Sequence, residues 1–424
     1  MRKTSLVLVL AGVLLTGVAC DGEPGPATSA PATTPPPAGP PPRAPLVEPI
    51  KLSDRPLWTS PIGEDEYLPR FTVMGDAVVH ATPHGVGPAG SVLVVHDAAT
   101  GAVRWSVRKS DRIGPNRVTL DPDNVQHVRG LLIAAYQQKD VRLPNGRPGR
   151  EEGLVALSMR DGGVRWQLPL LQDRIDDPMK TEPEPYKTVS LAETSNDEMI
   201  LATIRTRHHD RPTEQSALAI SPVDRRTLWT APGFEAVQII GGVVLGEVPS
   251  KRPLVNKQDT TPVTAAVDAR TGARRWDLLN RDHTVLGPRT DNGVLVTAQP
   301  GTSSPTKILV DPETGRETAL SSLFGTTCHA EGRLIACATD TDLHTYDTAT
   351  GVTERAPLPV PGAHVSRVWR QRVILRDNVV VDRAGTRIGG PLPGRPREFR
   401  DGYALFEISL PDKQKGFAVY RLSE

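Results

Sequence analysis

The chain has 424 residues, with 50 basic and 49 acidic side chains, a formal net charge of +1 and only 4% aromatic residues. That balance excludes the broad attraction to polyanions on which nucleic-acid binding rests, and the length exceeds what one simple core usually serves. Its 41 prolines and 37 glycines, with no helical period running through the chain, point to many short strands joined by turns.

At the N-terminus, Arg2-Lys3 precede an apolar run from Leu6 to Val18, which leads into Ala19-Cys20. A basic start, a short apolar stretch and small residues at its end describe a secretion signal, shorter than the ~20 residues of a bilayer span. Cys20 resembles the lipobox cysteine of bacterial lipoproteins, which is acylated and becomes the new N-terminus. Gly17 departs from that pattern, which prefers a branched apolar residue there. The alternative is ordinary cleavage after Ala19, leaving Cys20 as a free thiol. Residues 1–20 are therefore read as a lipoprotein signal and 21–50 as a disordered stalk of Pro, Ala, Thr and Gly, with almost nothing to bury.

From Lys51 to Glu424 the chain repeats. Ala266-Val267-Asp268-Ala269-Arg270-Thr271-Gly272-Ala273-Arg274-Arg275-Trp276 reads as a strand, a tight turn and a second strand. Asp268 can cap the turn N–H groups, and Gly272 takes the positive-φ corner. The same grammar joins Asp97 and Gly101 to Trp105, Ser158 and Gly162 to Trp166, and Ser221 and Asp224 to Trp229. In each copy the Trp lies eight residues after the turn-opening Asp or Ser. Degenerate copies without Trp follow at Asp311–Gly315, Asp347–Gly351 and Asp382–Gly385. Successive turns lie 61, 63, 47, 43, 36 and 35 residues apart, and the shortest spacing fits one four-stranded blade.

Within each unit, strands A and B meet at a tight turn such as Asn292-Gly293 or Asp401-Gly402, and strand C leads to the Asp turn and strand D. The chain ends after Tyr403–Ser409 and Phe417–Leu422, which read as strands B and C, with no strand D. Pro56–Ser60, carrying Trp58, is a strand D with no blade before it. Pairing the two ends closes the ring and removes an exposed edge. The expectation is an all-β propeller of eight blades, or seven if the short unit at Val365–Pro391 is not a separate blade.

Ala-x-Asp-x-x-Thr-Gly-x-x-x-Trp resembles the tryptophan-docking motif of the pyrroloquinoline-quinone (PQQ)-type β-propeller repeat. It is complete at Ala266–Trp276, nearly so at Val95–Trp105, and partial at Ala156–Trp166 and Ala219–Trp229. The resemblance implies that the Trp residues pack between blades as structural elements. That family contains quinoprotein dehydrogenases, and also lipoproteins similar to the outer-membrane assembly factor BamB, which bind partners without catalysis. The dehydrogenases resemble one another in an adjacent-Cys disulfide, a caged Ca²⁺ and an Asp base. This chain has no Cys-Cys pair and no recognisable carboxylate cage.

No phosphate-cradling loop, His-Glu-x-x-His or Gly-x-Ser-x-Gly appears either, so no catalytic residue, cofactor or metal ligand is assigned. His208-His209 reads as part of a polar loop, since neighbouring strand residues face opposite ways. Cys328 and Cys337 flank a hairpin near Glu331-Gly332-Arg333. They stand directly opposite if Gly332-Arg333 is its centre, and one step diagonal if Glu331-Gly332 is. Export favours a disulfide.

The longest inter-strand segments are Gln137–Glu152, Arg205–Gln215, Val248–Pro262 and Gln299–Thr306 between strands B and C, and Leu171–Lys187 between blades. Blade geometry puts all five on one face of the disc. They carry clustered charge in Arg142, Arg147, Arg150, Asp173, Asp176, Asp177, Glu182 and Glu184, together with His208, His209, Arg211, Lys251 and Arg252. This face is the candidate recognition surface. The sequence thus reads as a monomeric, lipid-anchored scaffold on the extracytoplasmic side of the cell membrane, with an envelope protein or glycan as partner. The alternative is a cofactor- or sugar-binding protein, or a quinoprotein-like enzyme, that uses the central channel.

Overall fold

The computed structural model describes residues 47–423, except 64–69, 83–91, 143–145, 147, 175–185, 209–212, 254–259, 282, 300–304, 321–322, 324–326 and 412. The segment read as a lipoprotein signal, Cys20 and most of the segment read as a stalk lie outside the described residues.

The described chain forms 31 strands in eight antiparallel sheets, and no helix occurs among the described residues. β1 is Trp58–Pro61. Blade 1 holds β2 (Arg70–Met74), β3 (Ala77–Thr82), β4 (Val92–Asp97) and β5 (Val103–Arg108). Blade 2 holds β6 (Thr119–Val128), β7 (Leu131–Arg142), β8 (Pro148–Ser158) and β9 (Val164–Arg174). Blade 3 holds β10 (Tyr186–Leu191), β11 (Ile200–Arg207), β12 (Glu214–Ile220) and β13 (Thr227–Pro232). Blade 4 holds β14 (Glu235–Ile240), β15 (Val243–Pro253), β16 (Thr260–Asp268) and β17 (Arg274–Asp277). Blade 5 holds β18 (His283–Thr290), β19 (Gly293–Gln299), β20 (Thr306–Val310) and β21 (Glu317–Ala319). Blade 6 holds β22 (Thr327–Glu331), β23 (Leu334–Ala338), β24 (Asp342–Asp347) and β25 (Thr353–Pro357). Blade 7 has only β26 (Val365–Trp369), β27 (Arg372–Leu375) and β28 (Val380–Val381). Blade 8 combines β29 (Arg395–Arg400), β30 (Tyr403–Ser409) and β31 (Lys415–Arg421) with β1.

The propeller therefore has eight blades and is closed by the N-terminal strand, with Trp58 paired to Val419 and Pro61 to Gly416. The short unit is a blade in its own right. Its outer strand is reduced to a single bridge between Val381 and Arg387.

Period-two alternation sends side chains of each blade toward both neighbours, so the apolar core falls into eight clusters, one per blade contact. Leu93 meets Leu132 and Leu157 between blades 1 and 2, and Phe71 meets Leu405 and Phe417 across the closure. Each fully buried Leu or Phe contributes about 1.5–3 kcal/mol.

The repeated turns join the blades. Asp97 Oδ1 accepts the Ala99 and Thr100 N–H groups and the Thr100 hydroxyl, and Asp268 repeats this with Arg270 and Thr271. The Trp of the preceding blade then lies on that turn. Its indole N–H donates to the carbonyl one residue past the turn opener: Trp58 to Ala98 at 2.9 Å, Trp105 to Met159 at 3.2 Å, Trp229 to Ala269 at 2.7 Å and Trp276 to Pro312 at 2.9 Å. Trp166 packs between blades 2 and 3 without that bond. Arg104 and Arg275, each just before the Trp, ion-pair with the turn aspartates, and this pairing holds Asp97 down to about 2.

Three expectations need correction. Thr290 pairs with Gly293, so the turn centre there is Asp291-Asn292 rather than Asn292-Gly293. The packed core begins before Lys51, because Ile50 and Leu52 pack against the cluster around Trp369 and Phe406. The segments read as insertions in blades 2 and 4 are mostly strand. β7 and β8 have 12 and 11 residues against 5 and 6 for β23 and β24, so this hairpin stands proud by about 20 Å.

Candidate functional site

Two regions could bind something: the axial channel and the face carrying the long hairpins. A cavity of about 1140 Å³ occupies the channel, lined by residues from the inner strands of all eight blades. An inner strand has no sheet partner on the channel side, and its side chains alternate toward the adjoining blades. Bulges break that alternation. They occur in β6, β14, β18, β26 and β29, and Arg289, Arg367 and Glu398 are each the first paired residue after one.

The exposed inner edges need hydrogen-bond partners, and side chains of the preceding blade supply them. Glu398 accepts the Val73 N–H at 2.7 Å, the Thr194 hydroxyl accepts the Ile239 N–H at 2.8 Å, and Glu152 accepts the Val189 N–H at 3.1 Å. Asp401 accepts the Gly75 N–H at 2.9 Å. Such capping satisfies backbone groups that would otherwise cost about 1–3 kcal/mol each.

Charge in the channel gathers on blades 5 to 8 and blade 1, as Arg289, His329, Glu331, Arg367, Glu398, Arg400 and Arg70. Blades 2 and 3 contribute Gln126, His127, Glu193, Thr194, Ser195 and Asn196, and blade 4 contributes Ile239 and Gly241. Burial pushes the Glu331 and Glu398 carboxyls up, opposed by Arg367 and by backbone N–H groups. Burial pulls Arg367 and His329 down. This is a desolvated set of interacting ionisable groups in a concave site, the usual mark of a binding locus. Sequence reasoning missed it, because His329, Arg367 and Glu398 lie on inner strands far apart in the chain, and Arg367 and Glu398 each follow a bulge that the sequence does not reveal.

On the hairpin face, Arg150 is drawn into blade 2–3 contacts rather than left free. Its guanidinium donates to the Lys187 carbonyl at 3.2 Å and lies 3.7 Å from Asp173, which also binds Lys187 Nζ at 3.0 Å. Glu151 joins Tyr136 at 2.7 Å and Gln172 at 2.8 Å across the same sheet. His208 sits at the end of β11 with Nε2 3.3 Å from Glu214, and Arg142 ends β7. Arg147, Asp176, Asp177, Glu182, Glu184, His209 and Arg211 lie outside the described residues, and Lys251 and Arg252 fall in β15.

Cys328 and Cys337 are directly opposite in β22 and β23 and form a disulfide, with Cα atoms 4.2 Å apart. Among the described residues no group of three or more His, Cys, Asp or Glu is placed to hold a metal ion.

Residues 260–392 match the family model described as outer membrane protein assembly factor BamB. No curated protein sequence matches the chain. Similar solved structures include BamB from Moraxella catarrhalis, 12% identical with a TM-score of 0.46, covering 87% of this chain and 98% of that one. A quinohemoprotein alcohol dehydrogenase from Pseudomonas putida HK5 is 11% identical, with a TM-score of 0.45 and coverage of 87% and 76%. The β-propeller domain of the Trilobed protease from Pyrococcus furiosus is 10% identical, with a TM-score of 0.39 and coverage of 77% and 92%. These likenesses transfer no residue role to the chain.

Proposed function

We propose that this chain, a β-propeller whose repeats are of the PQQ type, is an exported, membrane-tethered binding and assembly module of the cell envelope, not an enzyme. The observation that carries the reading is the one-sided relief of the disc. The β7–β8 and β15–β16 hairpins extend blades 2 and 4 on the face that bears the B–C connections. A closed ring with such arms is a rigid platform offering partners a shaped surface. Salt links through Arg150, Asp173 and Lys187 hold one arm against blade 3, which lowers the entropy a partner must offset on docking.

Against catalysis, the Thr194 and Ser195 hydroxyls in the channel are engaged by Ile239 N–H and the His127 carbonyl, so neither is an activated nucleophile. Glu398 serves as an edge cap.

The test is capture from solubilised membranes with the full chain and with a variant lacking residues 139–149, the tip of the blade 2 arm. The reading expects a partner retained by the full chain and lost by the variant at unchanged melting temperature. Identical captures would refute it.

A further inference from the structure

We propose, resting on the membrane-tethered reading above, that the basic patch where the chain enters the disc docks on the anionic headgroups of a lipid surface. The point of entry is on the face that bears the A–B and C–D turns, opposite the hairpin arms. Leu52 bridges Leu422 just past β31, and the Leu422 N–H donates to Gly402 in the A–B turn of blade 8. Upstream of Leu52 the chain lies along blade 7. Ile50 joins the cluster around Trp369, and a Cβ placed on Gly389 would stand 3.2 Å from Pro49 Cβ. The Glu48 carbonyl accepts Arg372 Nε at 2.6 Å.

At this spot two cations share one ring. The Arg370 and Arg372 guanidinium carbons lie 5.1 and 5.3 Å from the centre of the Trp369 ring. Phe399 is stacked on the same indole at 4.8 Å, so both cations crowd onto what it leaves uncovered. Burial, and then the Arg370 charge, pull Arg372 down. Arg372 Nη1 donates to the Arg370 carbonyl at 3.1 Å, which leaves its Nη2 without a partner among the described residues. Two exposed cations extend the patch: Lys51, and Arg387 two residues before Gly389. The acids nearby are engaged. Glu331 takes the Arg370 N–H, Asp382 takes the Ala384 and Thr386 N–H groups, and Glu48 pairs with Lys51.

Like charges held on one ring repel, and an anion between them relieves that repulsion. A lipid phosphate suits guanidinium donors, which it can accept side by side. The occupant is a lipid surface rather than free phosphate because the patch lies where the chain from Cys20 arrives. A single acyl chain binds a bilayer only marginally, and a basic patch next to it supplies the second signal that stable attachment needs. The contact leaves the hairpin arms, on the opposite face, clear of the surface.

The test uses the chain from Asp21 onward, which omits only residues outside the described structure and carries no acyl group. It should sediment with phosphatidylcholine vesicles containing ~30% phosphatidylglycerol, not with phosphatidylcholine alone, and about 0.5 M NaCl should release it. Arg370→Gln and Arg372→Gln together should weaken binding at least ~10-fold, whereas Arg226→Gln, on blade 3 across the ring, should not. If the double variant does not fold, Arg370→Gln alone, at an exposed position, should weaken binding about five-fold. No binding to the anionic vesicles, equal binding to phosphatidylcholine, or unchanged binding in a folded variant would overturn the proposal. Such a failure would leave the lipid tether standing, because membrane retention of the full chain with Cys20→Ser tests that separately.

Discussion

Trp58 lies flat against Gly101: a Cβ placed on that glycine would stand 2.6 Å from the indole Cγ. The contact joins the first strand of the ring to the first complete blade. The indole N–H also reaches the Ala98 carbonyl of the same turn. Gly101 has φ of +73° and no room, whereas Gly75 has φ of +63° and nothing within 4 Å of where a Cβ would stand. Gly75→Ala should therefore cost only the backbone strain, about 1 kcal/mol. Gly101→Ala adds displacement of the indole and should cost about 2–4 kcal/mol. Urea melts of the two variants separate the effects, and equal midpoints would show that the indole is not docked there.

A pH effect follows from the same closure. His80 is 7% exposed and stacks on Phe71 with ring centroids 4.0 Å apart, and His96 lies 6.4 Å from it. Burial, and secondarily the His96 charge, lower its pKa to about 4. In the unfolded chain it titrates near 6.5, so between those values the unfolded state binds more protons and stability rises with pH. The folded protein should lose about 3 kcal/mol on acidification from about pH 7 to about pH 4 through this group. His80→Phe should flatten that limb of the stability–pH curve. A mutant curve parallel to the parent's would exclude His80 as its source.

The blade count, the closing strand and the docking turns were legible because they depend on local chemistry repeated at a fixed spacing. Asp97, Gly101 and Trp105 lie within nine consecutive residues, and the same three types recur at the same spacing in Asp268, Gly272 and Trp276. Blade 7 was the hard case, since its outer strand has shrunk to the Val381–Arg387 bridge and leaves no turn-to-Trp signal. The channel was not legible. Arg367 and Gln126 lie more than two hundred residues apart, and bulges such as that between Val365 and Arg367 decide which side chains leave the blade packing. Nor was the strand character of the arms: Lys139–Gly149 has the composition of a loop, yet Val141 pairs with Gly149 and Arg142 with Pro148.

Anchoring is tested at Cys20. Cys20→Ser removes the thiol that acylation needs, and should shift the protein from the membrane fraction to the medium or leave its precursor uncleaved. Fractionation followed by mass measurement of the mature N-terminus checks both. Normal cleavage with unchanged membrane retention would rule out the lipid tether.

The closing strand yields a graded series of truncations. Deleting residues through Leu46 removes none of the described core, and should leave the melting temperature unchanged. Deleting through Asp54 removes Ile50 and Leu52 from the cluster around Trp369, the Leu52–Leu422 bridge, and the backbone bonds from Ser53 to Arg421 and from Ser423 to Lys51. That should cost about 2–3 kcal/mol while the ring stays closed. Deleting through Ile62 also removes β1, so β31 becomes an unpaired edge and Gly101 loses its indole cover. Loss of a whole ladder together with Trp58 burial should cost several further kcal/mol, and the open edge should template aggregation. The last two variants differ by eight residues, too few for size or composition to explain a difference. Light scattering and calorimetry on the three proteins read the series. If the Ile62 truncation is as monomeric and heat-stable as the Asp54 truncation, β1 does not hold the ring shut.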